Sequence, residues 1–259
     1  MGRFHRHDDG TVHTHDHDEH GHEHHDHGDH SGYETGSQRI DVLESIFAEN
    51  DVRAGYNRKA FESNGIRALN LMSSPGSGKT TVLGATLDEL AGEFAVGVIE
   101  GDIATDLDAA KLGGRGAQIS LLNTGNGFGG ECHLDAPMVN RAIQGLDLPQ
   151  LDLVIIENVG NLVCPAEFDV GEHAKAMVYS VTEGDDKPLK YPVMFRAVDV
   201  VLLNKIDLVP YLDVDVDSYL ARVREVNPTA AILPISARTG AGMSAWFGWL
   251  RRFMAASSA

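Results

Sequence analysis

Residues 73–80 read Ser-Ser-Pro-Gly-Ser-Gly-Lys-Thr, and this short segment constrains the fold more than any other part of the chain. It matches the phosphate-binding pattern Gly-x4-Gly-Lys-Ser/Thr, with serine in place of the first glycine. The pattern requires a strand that ends and a helix that begins, because backbone N–H groups must converge on one anion. An apolar run at 66–72 precedes the segment, and apolar residues at helical spacing follow it at 80–91. An ordinary glycine-rich turn is the alternative, and these flanking elements disfavour it.

Each residue of this loop has an expected task. Gly76 and Gly78 let the backbone turn its N–H groups inward. We expect Lys79 to reach the β- and γ-phosphates and Thr80 to ligate Mg²⁺ through its hydroxyl. The predicted phosphate-contacting residues are Ser74, Pro75, Gly76, Ser77, Gly78, Lys79, Thr80 and Thr81.

Apolar strands and helical patterns alternate along the rest of the chain. Further strands are predicted at 94–99, 117–122, 151–156, 176–181, 198–203 and 230–235, and a last helix at 241–254. This alternation is typical of an α/β protein, here a P-loop NTPase with a mostly parallel sheet and helices on both faces. Ligands of such sheets bind at the carboxyl ends of the strands.

A buried strand ends in Asn204-Lys-Ile-Asp207, the Asn-Lys-x-Asp pattern of GTPases. The Asp207 carboxylate can accept both the N1–H and the N2–H₂ of guanine, whereas adenine offers no such pair of donors. Asn204 can bond the base edge, and the stem of Lys205 can pack on the ring. Ser236 and Ala237 follow the next strand and resemble the element that contacts the guanine carbonyl through backbone N–H. A simple strand-end turn is the alternative, but the order of the motifs favours GTP and GDP over adenine nucleotides.

A third motif, which begins with an acid, follows the strand at 151–156. Glu157-Asn-Val-Gly160 stands where GTPases usually carry Asp-x-x-Gly, so Glu157 should lie near Mg²⁺ or the attacking water and the Gly160 N–H near the γ-phosphate. Asp102 ends the second predicted strand and is assigned as a further acid that ligates Mg²⁺ or positions water; helix capping is its alternative role. The predicted catalytic set is therefore Lys79, Asp102 and Glu157. No water-orienting glutamine follows Gly160, so we expect slow intrinsic hydrolysis.

Composition excludes several classes of function. The formal net charge of -17 would repel phosphates, which argues against nucleic acid as a partner. No apolar run reaches 18 residues and no apolar region opens the chain, so we expect neither a membrane span nor a secretory signal. A cytoplasmic protein is the resulting expectation.

Histidine is concentrated at the N-terminus, where the first thirty residues hold 11 of the 13 histidines, interleaved with acids and glycine. Almost no apolar residue lies there, so this tail should be disordered. Neutral imidazoles bind Ni²⁺ and Zn²⁺, which predicts a metal buffer. A purification tag and a merely solvated tail are the alternatives, although a tag is normally an uninterrupted histidine run. The candidate ligands are His5, His7, His13, His15, His17, His20, His22, His24, His25, His27 and His30.

The predicted domain organisation has three parts. Residues 1–30 form the disordered His-rich metal-binding tail, 31–65 a connector and 66–259 the P-loop GTPase domain. Ile40, Leu43, Ile46 and Phe47 repeat at helical spacing, which predicts a short amphipathic helix within the connector.

Two cysteines and one histidine are candidate metal ligands outside the tail. Cys132 and His133 follow a glycine-rich segment at 123–130, and Cys164 comes four residues after Gly160. Thiolate and imidazole suit Zn²⁺ or Ni²⁺. Three ligands do not close a four-coordinate site, so water, an acid or a second chain must complete it. From chemistry alone this interpretation is no stronger than the alternative, in which the cysteines are a small buried hydrophobe and a loop residue.

Four elements in this order resemble the HypB family, the GTPases of [NiFe]-hydrogenase maturation. They are the P-loop at 73–81, the Glu-Cys-His at 131–133, the Gly-Asn-Leu-Val-Cys-Pro at 160–165 and the Asn-Lys-x-Asp at 204–207. The similarity covers about residues 66 to 255. Some members carry an N-terminal Cys-x-x-Cys-Gly-Cys nickel site, which this chain lacks; its histidine tail is similar to that of members associated with nickel storage.

The resemblance implies GTP hydrolysis, a GTP-dependent homodimer and a metal site of Cys132, His133 and Cys164 at the dimer interface. It also implies partnership with a HypA-like nickel chaperone and with the hydrogenase large subunit, which receives the nickel. A urease-type nickel accessory GTPase and a nickel-storage protein with a vestigial GTPase site are the alternatives. The positions of the two cysteines favour the hydrogenase type, and intact Lys79 and Asp207 argue against a vestigial site.

Overall fold

The computed structural model describes residues 5–6, 12–13, 35–101, 112, 114–122, 133–161 and 163–256. The chain divides into two compact units, Met1–Val42 and Leu43–Ala259. In the first unit, His5–Arg6 and Val12–His13 pair as short antiparallel strands. The other predicted tail ligands and the predicted disorder of 1–30 lie outside the described residues, so the tail remains a prediction.

A single parallel sheet of seven strands forms the centre of the second unit. The strands are β1 Arg67–Ser73, β2 Val96–Glu100, β3 Gln118–Leu121, β4 Leu153–Gly160, β5 Ala174–Ser180, β6 Val200–Asn204 and β7 Ala231–Pro234. Their order across the sheet is β3-β2-β4-β1-β5-β6-β7, and every neighbouring pair is parallel. The carboxyl ends of β1, β4, β5 and β6 therefore meet at one edge, and the sequence places the P-loop and the two acidic motifs there.

Helices cover both faces of this sheet. They are α1 Thr35–Ser63, α2 Lys79–Leu90, α3 Ala136–Ile143, α4 Cys164–Glu167, α5 Lys187–Lys190, α6 Pro192–Arg196, α7 Val216–Val226 and α8 Met243–Ala255, with 3₁₀ turns at Leu148–Gln150 and Ile206–Tyr211. One face packs against α2 and α8 through Leu83, Leu87 and Trp246. The opposite face packs near its middle against α1 and α3 through Phe61 and Val139.

The predicted fold class is confirmed. Each of the seven strands overlaps a predicted range, because strands buried on both faces read as continuous apolar runs. The central strands are almost fully buried along their length. Among the described residues, no helix has both the length and the apolar character needed to cross a bilayer.

The prediction of a short helix in the connector is corrected by α1, which spans 29 residues from Thr35 to Ser63. Its second half belongs to the same compact unit as the sheet, and Ala54 and Phe61 are buried there. Asn50 and Asn57 are buried as well. Apolar periodicity could not find these positions, because polar side chains occupy part of the buried face.

Candidate nucleotide and metal site

The phosphate loop encloses a cavity of about 200 Å³ at the carboxyl end of β1. Its lining comprises residues 73–81 and Gly160. Gly76 and Gly78 have positive φ values of 73° and 100°, a region that disfavours residues with a Cβ. A Cβ on Gly78 would also lie 2.6 Å from Asn204 Nδ2. The conformation of this turn, at the N-terminus of α2, therefore depends on glycine.

Lys79, Thr80 and Glu157 meet at the floor of this cavity. Lys79 Nζ and Thr80 Oγ1 each donate to Glu157 Oε1 at 2.9 Å. The side chains of Lys79 and Glu157 are only 5% and 1% exposed, so this ion pair is shielded from water. Glu157 Oε2 is buried and has no hydrogen-bond partner among the described residues. A carboxylate oxygen and a hydroxyl are donors that Mg²⁺ prefers, so Thr80 and Glu157 fit the predicted ion.

Asp102, the second predicted acid, lies outside the described residues. Its neighbour Gly101 donates its backbone N–H to the carbonyl of Glu157 at 3.0 Å. The chain thus enters the segment of Asp102 beside Glu157. The catalytic roles of both acids remain predictions.

The base motif is tied directly to the phosphate loop. Asn204 Nδ2 donates to the carbonyl of Ser77 at 2.9 Å, and Lys205 Nζ donates to the carbonyl of Gly76 at 2.6 Å. Asn204 Oδ1 accepts from the N–H of Ala237 at 3.1 Å. The two side chains therefore brace the phosphate loop. Their predicted contacts with the edge and ring of the base remain predictions.

Asp207 is positioned by Ser236. Ser236 Oγ is fully buried and donates to Asp207 Oδ1 at 2.6 Å. The hydroxyl fixes the carboxylate shortly after the end of β6, and the role of Asp207 as a guanine acceptor remains a prediction. A groove of about 380 Å³ runs between the phosphate loop and this region, lined by Thr80, Thr81, Gly84, Ala85, Asp88, Arg115 and Ala237. No sequence pattern indicated that Arg115 lies on this groove.

Glu183 is a further residue that sequence reasoning missed. One carboxylate oxygen accepts from the hydroxyl of Ser74, and the other accepts from the N–H of Ser180 at 2.8 Å. Burial raises the pKa of Glu183 above its ordinary value. The residue anchors the start of the phosphate loop to the end of β5, and no motif would have indicated this contact.

The structure describes only part of the predicted metal site. The ring of His133 stacks on Phe168 at 4.1 Å and 27°, and Phe168 in turn lies 5.1 Å from the ring of Phe47 in α1. Cys132 lies outside the described residues, and Cys164 opens α4 but its thiol is not described. Within the described ranges, no group of three or more His, Cys, Asp or Glu side chains could hold a metal ion. The three-ligand site therefore remains a prediction.

Two asparagines of α1 hold both segments that carry the candidate metal ligands. Asn50 Oδ1 accepts from the N–H of Ala136 at 2.9 Å, and its Nδ2 donates to the carbonyl of Asp169 at 2.8 Å. Asn57 Nδ2 donates to the carbonyls of Ala136 and Val170 at 2.9 and 3.0 Å. The backbone shortly after His133 and the backbone shortly after Cys164 are thus fastened to one helix.

Comparisons with known proteins agree with this architecture. The family model "CobW/HypB/UreG, nucleotide-binding domain" matches residues 67–234. The hydrogenase maturation factor HypB of Azotobacter chroococcum is 50% identical over 216 residues, which are 83% of this chain and 70% of that protein. The hydrogenase/urease maturation factor HypB of Helicobacter hepaticus is 41% identical over 190 residues, 72% of this chain and 74% of that protein.

A solved structure gives the same result. HypB from Helicobacter pylori in complex with nickel has a TM-score of 0.73 and 36% identity, covering 80% of this chain and 95% of that one. The nickel belongs to that complex. The likeness shows that the sheet and its surrounding helices are shared.

Proposed function

The chain belongs to the HypB family of hydrogenase maturation factors, and on that basis we propose that it is a GTP-hydrolysing metallochaperone. It binds nickel and supports nickel insertion into the large subunit of [NiFe]-hydrogenase. One observation carries the hydrolytic part: the buried contact of Lys79, Thr80 and Glu157 at the floor of the phosphate-loop cavity. A nucleotide that enters this loop must displace or rearrange that contact.

GTP hydrolysis follows from what these side chains can do. Lys79 neutralises the β- and γ-phosphates, and the loop amides bind their oxygens. Mg²⁺, held by Thr80 and by an acid at Glu157 or Asp102, would neutralise the charge that develops on the leaving phosphate. Glu157, freed from Lys79, orients the attacking water with its carboxylate. Asp207 selects guanine, because its position beside Ser236 presents a fixed acceptor.

The cargo site is proposed at Cys132, His133 and Cys164, in a homodimer that GTP favours. Nickel is the proposed ion, and Zn²⁺ is a competing occupant because the same soft and borderline ligands suit both. Cys164 is four residues beyond Gly160, so about 13–14 Å of extended chain at most separates the two. A switch that moves Gly160 on loss of the γ-phosphate would therefore move one metal ligand.

The proposed setting is the cytoplasm, with a HypA-like nickel chaperone and the hydrogenase large subunit as partners and no role for nucleic acid or membrane. The histidine tail is proposed to store nickel. The name of the Helicobacter hepaticus relative favours one second candidate function, the supply of nickel to urease.

The test compares Ni²⁺ affinity of protein lacking residues 2–30 in GDP and in a non-hydrolysable GTP analogue. We expect different affinities and a larger dimer fraction with the analogue. Linkage requires Ni²⁺ to change the relative nucleotide affinities by the same factor. A Cys164→Ser variant is the matched control and should lose the difference while still hydrolysing GTP. Identical Ni²⁺ affinities and an unchanged dimer fraction would contradict the coupling between nucleotide and metal. Absence of GTP turnover would contradict the proposal that the protein is a GTPase.

A further inference from the structure

Strand β4 is irregular at Asn158. Its pairing with β1 places Leu71 opposite Glu157 and Ser73 opposite Gly160. One residue of β1 therefore faces two residues of β4, Asn158 and Val159. Such a bulge removes a backbone amide from the regular ladder and re-aims the neighbouring side chains. Asn158 satisfies the affected backbone itself, because its Oδ1 accepts from the N–H of Val159 at 2.9 Å.

Glu157 and Asn158 project from opposite faces of the sheet. Glu157 lies toward α2, where it accepts from Lys79 and Thr80. Asn158 lies on the other face and is fully buried. Its Oδ1 also accepts from the N–H of Leu134 at 3.0 Å, and its Nδ2 donates to Asn70 Oδ1 at 3.3 Å. Of these two consecutive residues, Glu157 thus contacts the phosphate site, and Asn158 contacts the segment that begins at residue 133.

Leu134 directly follows His133, and the bond from its amide fixes the backbone there. The Leu134 side chain is itself completely buried in the cluster that contains Ile156 and Val139. Backbone and side chain of Leu134 are therefore both held, and the bond to Asn158 fixes the chain directly after His133. A buried amide of this kind that lost its acceptor would carry a substantial desolvation penalty.

We infer that Asn158 is a positioning residue that transmits the nucleotide state from Glu157 to the backbone at His133 and Leu134. The inference rests on the proposed function. It adds a second route by which the nucleotide state could affect metal binding, besides the short chain from Gly160 to Cys164. A phosphate bound at Lys79 would take that donor from Glu157, and an ion held by Thr80 would change the contact between its hydroxyl and Glu157. The end of β4 then readjusts at its bulge, and the Asn158 carboxamide carries the shift to Leu134 N–H.

The experiment uses the full chain, freed of Ni²⁺ and Zn²⁺ by dialysis and then supplied with Mg²⁺, and measures hydrogen exchange at the Leu134 amide in GDP and in a non-hydrolysable GTP analogue. In the wild type we expect exchange rates that differ between the two nucleotides. Asn158→Ala should raise both rates and reduce their ratio to within about twofold of one, since couplings between sites commonly span about 5–150-fold. Asn158→Asp keeps the acceptor oxygen and should restore the nucleotide dependence.

Asn50→Ala is the matched control. It removes the acceptor of the Ala136 amide, in the same segment, and the hydrogen bonds that Asn50 makes to Ala136 and Asp169 lie outside β4. It should loosen the segment equally in both nucleotides and leave the ratio at Leu134 unchanged. A merely structural role for Asn158 would make the two alanine variants behave alike. If Asn158→Ala fails to fold, Asn158→Thr suits a strand and is too short to reach Leu134, so it should give the same loss.

The second readout is the Ni²⁺–thiolate charge-transfer absorption, to which the tail cannot contribute because it has no cysteine. In the wild type its dependence on nucleotide reports the proposed coupling. A wild type with this dependence, but with no nucleotide effect at Leu134, would overturn the inference and leave the proposed function standing. A folded Asn158→Ala that keeps the wild-type ratio would overturn it as well. If the absorption of the wild type did not depend on the nucleotide, that result would instead count against the proposed function.

Discussion

Glu157 illustrates how far a motif predicts a single side chain. Because glutamate replaces the usual aspartate, the sequence predicted that Glu157 would lie near either Mg²⁺ or the attacking water. The structure shows a carboxylate that reaches Lys79 and Thr80 together with one oxygen, while its second oxygen is buried without a partner among the described residues. The motif predicted the acid at this edge, but the contact depends on the packing of β4 against α2, which no local pattern encodes.

Asp207→Asn should weaken GTP binding, because an amide nitrogen cannot accept from both guanine donors. Loss of a charged hydrogen bond costs about 1.5–3 kcal/mol, or roughly tenfold or more in affinity. The same amide should improve binding of xanthosine triphosphate, whose ring has a carbonyl in place of the guanine amino group. Titration with both nucleotides measures the change. Asp213→Asn, an exposed acid nearby in the chain, controls for charge, and unaltered GTP affinity of the Asp207 variant would contradict the guanine assignment.

His173 should make the stability of the domain depend on pH. Its Nδ1 accepts from the N–H of Ala68 at 2.9 Å, so that nitrogen must stay unprotonated. Burial lowers the pKa of His173 below its ordinary value of 6.5. Below that value the unfolded chain binds more protons than the folded one, so stability falls as pH drops through 6.5 toward the folded pKa.

His173→Asn replaces the ring nitrogen by an oxygen that does not titrate. The free energy of unfolding in urea, measured between about pH 7 and 5 with a chelator present, should therefore decline less in the variant than in the wild type. The other histidines are common to both proteins and cancel in the comparison. Parallel pH profiles would show that His173 is not the titrating group.

The helices show where sequence patterns succeed and where they fail. Helices α2 and α8 were predicted within a few residues, since each presents a continuous apolar stripe to the sheet. The short helices α4, α5 and α6 were missed. Each spans four or five residues and has proline in its first turn, which is too little chain for a 3.6-residue period to be recognised.

Gly55 lowers the stability of helix α1. This glycine lies inside the helix and is exposed, and a Cβ built on it would meet nothing within 4 Å. Gly55→Ala should therefore stabilise the protein by about 0.5–1 kcal/mol, since glycine in a helix loses more conformational entropy than alanine. Urea denaturation measures the gain. Gly171→Ala is the contrasting variant and should destabilise, because its φ is 96° and a Cβ would lie 2.8 Å from the carbonyl of Ala54.

Motifs that are far apart in the sequence converge because the sheet is parallel. Ser74 directly follows β1, whereas Glu157 and Asn204 lie near the ends of β4 and β6. These strand ends meet at the same edge, so the order of the motifs predicts where a nucleotide would bind. What could not be predicted is the bracing between them. Asn50, Asn57 and Asn158 act through side-chain bonds to distant backbone, and an isolated asparagine has no sequence signature for that role.

The chain as a whole joins a P-loop domain to a histidine-rich tail whose sequence contains almost no apolar residues. The charged side chains of residues 1–30 are two arginines and eight acids, a net of 2 − 8 = −6 that raises the local concentration of cations. Deletion of residues 2–30 should leave GTP hydrolysis nearly unchanged. It should remove most of the Ni²⁺ bound per chain, because the 11 imidazoles are the abundant ligands for this ion.

Equilibrium dialysis against Ni²⁺, with GTP turnover measured on the same samples, checks both parts. Full-length protein in which the tail histidines are replaced by serine separates the two contributions, since it keeps every acid and loses every imidazole. If imidazole binds the ions, this variant should retain as little Ni²⁺ as the deletion. If the carboxylates alone hold them, it should behave as the wild type. If the truncated protein binds as much Ni²⁺ per chain as the wild type, the ions are bound by the folded domain. A large fall in GTP turnover would show that the tail takes part in hydrolysis.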